Sequence, residues 1–451
     1  MKGKRLYLAL ILLVVAVFAC ALTPEQASQP LPQDPEVLSG RLSNGMSYYI
    51  LNNKKPENRA ELRLYVNAGS VNEDDDQRGL AHFTEHMAFN GTKSFGRTEV
   101  VDYLTSIGMG FMNGLNAGTS YEFTYYMLKV PTDNAEQLRT GIQILSEMAH
   151  AVTYAPEELE RERGIILEEW RLGQGPQQRV ADATMKVLFQ GSKYAERAPI
   201  GTEEVLRNFK RETIQRFYSD WYHPSNQSVV IVGDYDPEAM LALLKEFFAP
   251  IPAKENPRVL EKIVIPENVE PQVTVVTDPE FPYNLAQIIW KRENRPIITM
   301  GDYYDQLKQD LYCDMLSSRL EELSKKPNPS YSMAFAMSQN ILKGLGGAAA
   351  IAIAPQGKSE EAFQVLLTEA QRVERFGYLP SEFDRAKLRL TRRVEQAVAQ
   401  KATRQSGDVA EGFINTLYYG GAYISPEQEE SMVKSLLAEL SLEELNVLGP
   451  S

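Results

Sequence analysis

Four histidines occur in the 451 residues of this chain, and two of them stand in Ala81-His82-Phe83-Thr84-Glu85-His86. On a helix, residues four apart rise one turn along the same face, so His82 and His86 can offer imidazole nitrogens to a single ion. Glu85, three residues after His82, then lies beside that ion without having to bind it. Imidazole pairs suit zinc, and a catalytic zinc takes three protein ligands plus a water whose pKa falls to around 7. A neighbouring carboxylate can accept the proton of that water as it attacks a carbonyl and pass it to the leaving group. The chemistry on offer is hydrolysis, with His82 and His86 as ligands and Glu85 as base. The plainer use of these residues, two core histidines and a stray glutamate, does not call for this spacing.

A helix here is supported locally: Leu80, Phe83 and Met87 supply an apolar side, and Asn90-Gly91 can end it in a left-handed turn. A third ligand must come from elsewhere. His150 closes a helix and His223 sits in the turn Trp221-Tyr222-His223-Pro224, so a carboxylate is the better candidate. The helix opening at Pro156 carries Glu157, Glu158, Glu160, Glu162, Glu168 and Glu169. Glu162 and Glu169 stand two turns apart on one face, with Ile165 and Ile166 between them. One could bind the metal while the other hydrogen-bonds a ligand, and spacing alone does not say which. A solvated acidic face is the ordinary use of such a helix.

Around these helices strands alternate with further helices. Leu62, Leu64 and Val66 alternate with polar neighbours as in a half-buried strand, and Tyr121 to Val130 repeats the pattern. Helices are expected over Thr98–Ile107, Asn134–Ala149 and Pro156–Leu172, and a buried strand over Ser228–Val232. Five prolines between Ala249 and Gln272 mark a linker, after which the alternation resumes. The second half echoes the first at one fixed offset: Pro131 and Pro355, Tyr154 and Tyr378, Pro156 and Pro380, Glu158 and Glu382. The expectation is α+β, two homologous layered domains: residues 1–21 as a signal, 34–250 as the metal-binding domain, 251–271 as linker and 272–451 as a second domain. At that offset His82, Glu85, His86 and Glu169 become Gln306, Gln309, Asp310 and Arg393, which could not rebuild the site.

Gly79-Leu80-Ala81-His82-Phe83-Thr84-Glu85-His86-Met87-Ala88-Phe89, followed by Glu162-Arg163-Gly164-Ile165-Ile166-Leu167-Glu168-Glu169, resembles the pitrilysin and insulin-degrading enzyme family, which includes mitochondrial processing peptidase and carries the inverted zinc-peptidase motif. Arg216 to Asp236 resembles the close of that family's first domain. The resemblance implies a zinc metallopeptidase holding one zinc through His82, His86 and Glu169, with Glu162 in support and Glu168 as a rival for the third place. The stretch from His86 to Glu169 is longer than is usual in the family. Asn116-Ala117-Gly118-Thr119-Ser120 resembles the family's substrate-edge strand, where Asn116 and Ala117 would hold an extended peptide through backbone hydrogen bonds. Family enzymes enclose substrate between two halves, and the opposite half contributes an arginine and a tyrosine. Arg319 and Tyr331 are the only loose match and are spaced too widely. The expectation is therefore either an endopeptidase acting on peptides or unfolded segments, or a peptide-binding or assembly subunit that needs a partner half for turnover.

Composition sets limits on partners. Lys and Arg number 47 against 60 Asp and Glu, a formal net charge of −13, which argues against nucleic acid because phosphate binding needs a basic surface. Lys2, Lys4 and Arg5 precede an apolar run from Leu6 to Leu22, the order of an export signal. Ala19-Cys20-Ala21 fits a cleavage site, and Val17-Phe18-Ala19-Cys20 resembles a lipobox that would make Cys20 a lipid anchor. Either places the mature chain in the periplasm or on a membrane of a bacterium. Glu73-Asp74-Asp75-Asp76 reads as a solvated loop, and Cys313 as a core residue.

Overall fold

The computed structural model describes residues 22–109, 115–259 and 261–449. The predicted signal and Cys20 lie outside the described residues. No described helix is long and apolar enough to cross a membrane.

The first half is built on six strands: β1 (Leu38–Arg41), β2 (Ser47–Asn52), β3 (Arg59–Val66), β4 (Leu115–Thr119), β5 (Thr124–Pro131) and β6 (Gln227–Gly233), in the order β1-β2-β6-β3-β5-β4. The last strand in sequence is thus inserted into the middle, parallel to β2 and antiparallel to β3. Its Ser-Val-Val-Ile-Val run suits that place, because a central strand is buried on both faces. Val229 and Ile231 enter one core with helices Ala135–His150 and Pro237–Phe248, while Val230 and Val232 enter another on the opposite face.

That opposite face is covered from the far end of the chain. Val409, Ala410, Phe413, Ile414 and Tyr418 of helix Ser406–Tyr419, here the bridging helix, pack on Leu51, Tyr65, Val230 and Val232. The expectation of a half-buried β3 is therefore corrected: Ala60 to Val66 are all buried. The two charged residues on its covered face are paired, with Arg63 Nη1 2.9 Å from Glu61 Oε2.

The second half repeats the plan in part. Strands β7 (Asn284–Glu293), β8 (Met333–Leu342) and β9 (Leu345–Ala354) pair in the order β7-β9-β8, the same arrangement as β3-β5-β4. Helix Met300–Ser324 stands between strand and hairpin, and helices Ser359–Phe376 and Pro380–Gln400 follow in the places of Ala135–His150 and Pro156–Leu172. Two homologous α+β units account for this order. Pro156 and Pro380 each open their helix at its first position. Cys313 is buried in the second core. Regular structure resumes later than the sequence pattern suggests: among the described residues from 261 to 283 there is no strand or helix, and Val264, Val269, Val273 and Val275 are exposed. A strand-like composition makes no strand without a neighbouring backbone to bond.

Since Phe413 is fully enclosed and its ring stacks on Tyr423 at 3.8 Å, Phe413→Ala is expected to cost about 3–5 kcal/mol. Denaturant unfolding checks the size, and faster amide exchange in β6 checks that the loss is felt in the first sheet.

Candidate metal centre

The two motif-bearing helices meet along an apolar seam. Leu80, Phe83 and Met87 of the histidine helix (Leu80–Met87) share a cluster with Leu159 and Ile166 of the glutamate helix (Pro156–Leu172), closed by Tyr154, Leu206, Phe209 and Ile214. The heptad stripe Leu159, Glu162, Ile166, Glu169 therefore brings both glutamates to the histidine face.

The start of the histidine helix is fixed from behind. Gly79 precedes it at φ +97°, a left-handed conformation that favours glycine. Glu73 Oε1 accepts from the backbone N–H of Gly79 at 3.0 Å and of Ala81 at 2.9 Å, satisfying donors that a helix start leaves open. Glu73 is completely buried, which corrects the reading of residues 73–76 as a solvated loop; Asp75 and Asp76 are exposed as expected. Burial pushes the Glu73 carboxyl up to about 8, against the pull of those two backbone bonds and of Arg197 and Lys193.

His82 Nε2 and His86 Nε2 face each other at 3.2 Å, and Glu169 lies 3.7 Å from the first and 3.6 Å from the second. A tetrahedral ion with bonds of about 2.0–2.1 Å sets its donor atoms roughly 3.3 Å apart, so this triangle has the size of one face of such a site. It is the one His/Cys/Asp/Glu cluster with metal-ligand spacing among the described residues. His86 Nδ1 is 2.7 Å from Glu162 Oε1, and a proton shared there leaves Nε2 with its lone pair toward the triangle. Glu162 is buried, and its other oxygen accepts from Asn90 Nδ2 at 2.8 Å. Burial and the neighbouring His86 push His82 down to about 3, so it stands neutral. For His86 burial acts in the same direction, but Glu162, Glu85 and Glu169 outweigh it and its pKa is raised.

Glu85 is buried beside the triangle, and Thr119 at the end of β4 donates its hydroxyl to Glu85 Oε2 at 2.8 Å. Burial raises the Glu85 carboxyl to about 7 in spite of that bond, in the range suited to a group that takes and returns protons near neutrality. Asn116 and Ala117 lie on β4, the last strand in the sheet order, paired with Met127 and Tyr126 of β5. The strand expected from Tyr121 begins at Thr124, with Ser120–Phe123 turning between β4 and β5.

The remaining candidates lie elsewhere. Glu168 is exposed and paired with Arg171 at 2.5 Å. His150 bonds Ser146 within its own helix, and His223 bonds Ser225. Arg319 is held by Glu382 at 2.6 Å and Tyr331 is buried on the Leu320 carbonyl. At the echoed position Gln306 Nε2 donates to Asp310 Oδ1 at 2.8 Å, a polar contact in place of a ligand pair. Sequence reasoning missed Glu73, Asn90 and Thr119; each is a short-range neighbour of the motif in space, and only Asn90 is close to it in sequence.

Residues 48–198 match the model of the insulinase family (peptidase family M16), and residues 208–390 match that of the peptidase M16 inactive domain. The chain belongs to the insulinase family. Among its M16 relatives, the probable zinc protease PqqL of Haemophilus influenzae is 33% identical over 323 residues, 70% of this chain and 34% of the relative. The probable zinc protease PqqL of Escherichia coli is 28% identical over 434 residues, 92% of this chain and 45% of the relative. The crystal structure of the first half of the periplasmic protease PqqL from Escherichia coli aligns with a TM-score of 0.86 at 27% identity, covering 93% of this chain and 90% of that one. The chain spans less than half the length of these curated relatives.

Glu73 yields a prediction with a definite sign. Its folded pKa lies above the usual carboxyl value, so its contribution to stability is full below about 4.5 and is lost as pH rises toward about 8. Glu73→Gln keeps an acceptor for both N–H groups and is expected to flatten that slope in denaturation midpoints measured from pH 4.5 to 8. Glu73→Ala leaves the donors open and is expected to cost about 1–3 kcal/mol near pH 4.5, where the wild-type contribution is full, and less as the pH rises.

Proposed function

We propose that this chain is the zinc-bearing part of an exported metallopeptidase that hydrolyses peptides or unfolded segments. The carrying observation is the triangle of two imidazole nitrogens and one carboxylate, 3.2–3.7 Å on its sides, with a buried carboxyl alongside. In this reading His82, His86 and Glu169 hold one zinc, and Glu162, itself held by Asn90, orients His86. A zinc ion held there supplies Lewis acidity, which lowers the pKa of water and polarises a peptide carbonyl. Glu85 accepts the proton of the attacking water and delivers it to the leaving amine. An extended peptide lies along β4, with Asn116 and Ala117 fixing it by backbone hydrogen bonds beside Glu85. The domain boundaries at 34–250, 251–271 and 272–451 belong to the same reading, with the second unit as scaffold.

A second reading rests on the coverage of the relatives. The chain aligns with the first half of Escherichia coli PqqL over 93% of its length, which supports a peptide-binding half that needs a partner half for turnover. Peptide hydrolysis by the zinc-loaded chain alone, and then mixed with a candidate second half, separates the two. Export agrees with the basic-then-apolar start and with the description of Escherichia coli PqqL as periplasmic; Cys20→Ser, followed by membrane fractionation, tests the lipid anchor.

Glu85→Gln is expected to keep zinc and lower turnover by about 10²–10⁴-fold; turnover at the wild-type rate would sink the mechanism. His82→Ala and Glu169→Gln are expected to lower bound zinc itself, measured by elemental analysis. Glu162→Gln should leave the site intact but weaken zinc affinity about 10–100-fold.

A further inference from the structure

The turn between β4 and β5 touches three parts of the molecule at once. On one side Thr119 donates to Glu85 at 2.8 Å. The turn itself is closed by Ser120 N–H to the Phe123 carbonyl at 2.8 Å, and is backed by Ser70 and Val71, whose N–H groups donate to Ser120 at 3.1 Å and Tyr121 at 2.8 Å. A Cβ on Gly69 would stand 2.3 Å from the Ser120 carbonyl oxygen, so the backing segment can approach this closely only with glycine there. At the tip Glu122 is buried. Its carboxylate accepts from the Tyr194 hydroxyl at 2.7 Å, the Lys343 backbone N–H at 2.9 Å and the Tyr418 hydroxyl at 2.5 Å. Tyr194 belongs to the first half, Lys343 to the turn between β8 and β9, and Tyr418 to the bridging helix. The Phe123 ring lies 4.6 Å from that of Tyr418.

We propose that the metal-free half of the chain positions the base: Tyr418 and Lys343 clamp the β4–β5 turn through Glu122, and the turn holds Thr119 against Glu85. This deepens the peptidase reading above and rests on it. A carboxylate turns about its last torsion with little resistance unless a directed bond holds it. The Thr119 hydroxyl is that bond, and it comes from a strand whose end is fixed by contacts from both halves. Thr119 and Glu122 are thus positioning residues, acting through Glu85.

The test uses the zinc-loaded chain and a peptide hydroxamate, whose zinc-binding group also hydrogen-bonds a carboxylate placed as Glu85 is. Thr119→Val is expected to bind the hydroxamate about tenfold more weakly or worse, with zinc content unchanged, and Thr119→Ser to restore most of the affinity. In peptide turnover the Thr119→Val loss should fall on kcat and leave KM nearly as it was. Tyr418→Phe and Glu122→Gln are expected to speed amide exchange over residues 115–123 and to weaken the hydroxamate in the same direction. Wild-type hydroxamate affinity in Thr119→Val overturns the role of Thr119. Wild-type exchange and affinity in both Tyr418→Phe and Glu122→Gln overturn the clamp. A wild-type chain that takes up no zinc fails earlier and differently, by removing the peptidase reading and this inference with it.

Discussion

Everything chemical in this molecule hangs on one seam between two helices, the short one from Leu80 and the longer one from Pro156. Phe83 and Met87 lie against Leu159 and Ile166, and the rigidity of packed apolar side chains is what lets two imidazoles and a carboxylate stand within a few tenths of an ångström of a usable geometry. Polar residues finish the job that packing starts. Glu73 fixes where the first helix begins, and Asn90 holds Glu162, which in turn fixes the ring of His86. Each of these polar groups is held by a neighbour that is itself anchored, so the order of the site comes from nested supports and not from any single strong bond.

The first half cannot be understood as a free-standing layer of helices on a sheet. One face of the sheet is covered by helices from nearby sequence, and the other by a helix that begins at Ser406. The buried Arg63–Glu61 pair is intelligible only with that cover in place. The same bridging helix carries Tyr418 to Glu122, so the duplicated unit without metal ligands is built into the first at the level of its core.

What could be read from the sequence, and what could not, follows the range of the interactions. The histidine motif was legible because helical spacing alone places His82 and His86 together, and Pro156–Leu172 was legible in both its ends because proline opens it and its stripe is regular. The duplication was legible in prolines and tyrosines at element boundaries, and its strand order bears it out. The burial of β3 was not legible, since its polar alternation is real and only a helix more than three hundred residues later covers it. Glu73 looked like part of an acidic loop because nothing local says that the helix beginning at Leu80 turns back over it. The choice between Glu162 and Glu169 stayed open on spacing, since both share a face, and their separation into an inner and an outer group depends on where His86 sits.

The position of β6 has a consequence for how such a chain can be divided. The two family models part between residues 198 and 208, ahead of β6, and a piece ending there would contain every candidate zinc ligand. It would also lack the central strand, leaving β2 and β3 as two raw edges facing a gap, the kind of surface that recruits strands from other molecules. During synthesis the same gap exists until Gly233 has emerged, so the sheet beside the site stays open until most of the first half has been made, and a holding chaperone would find its natural target there.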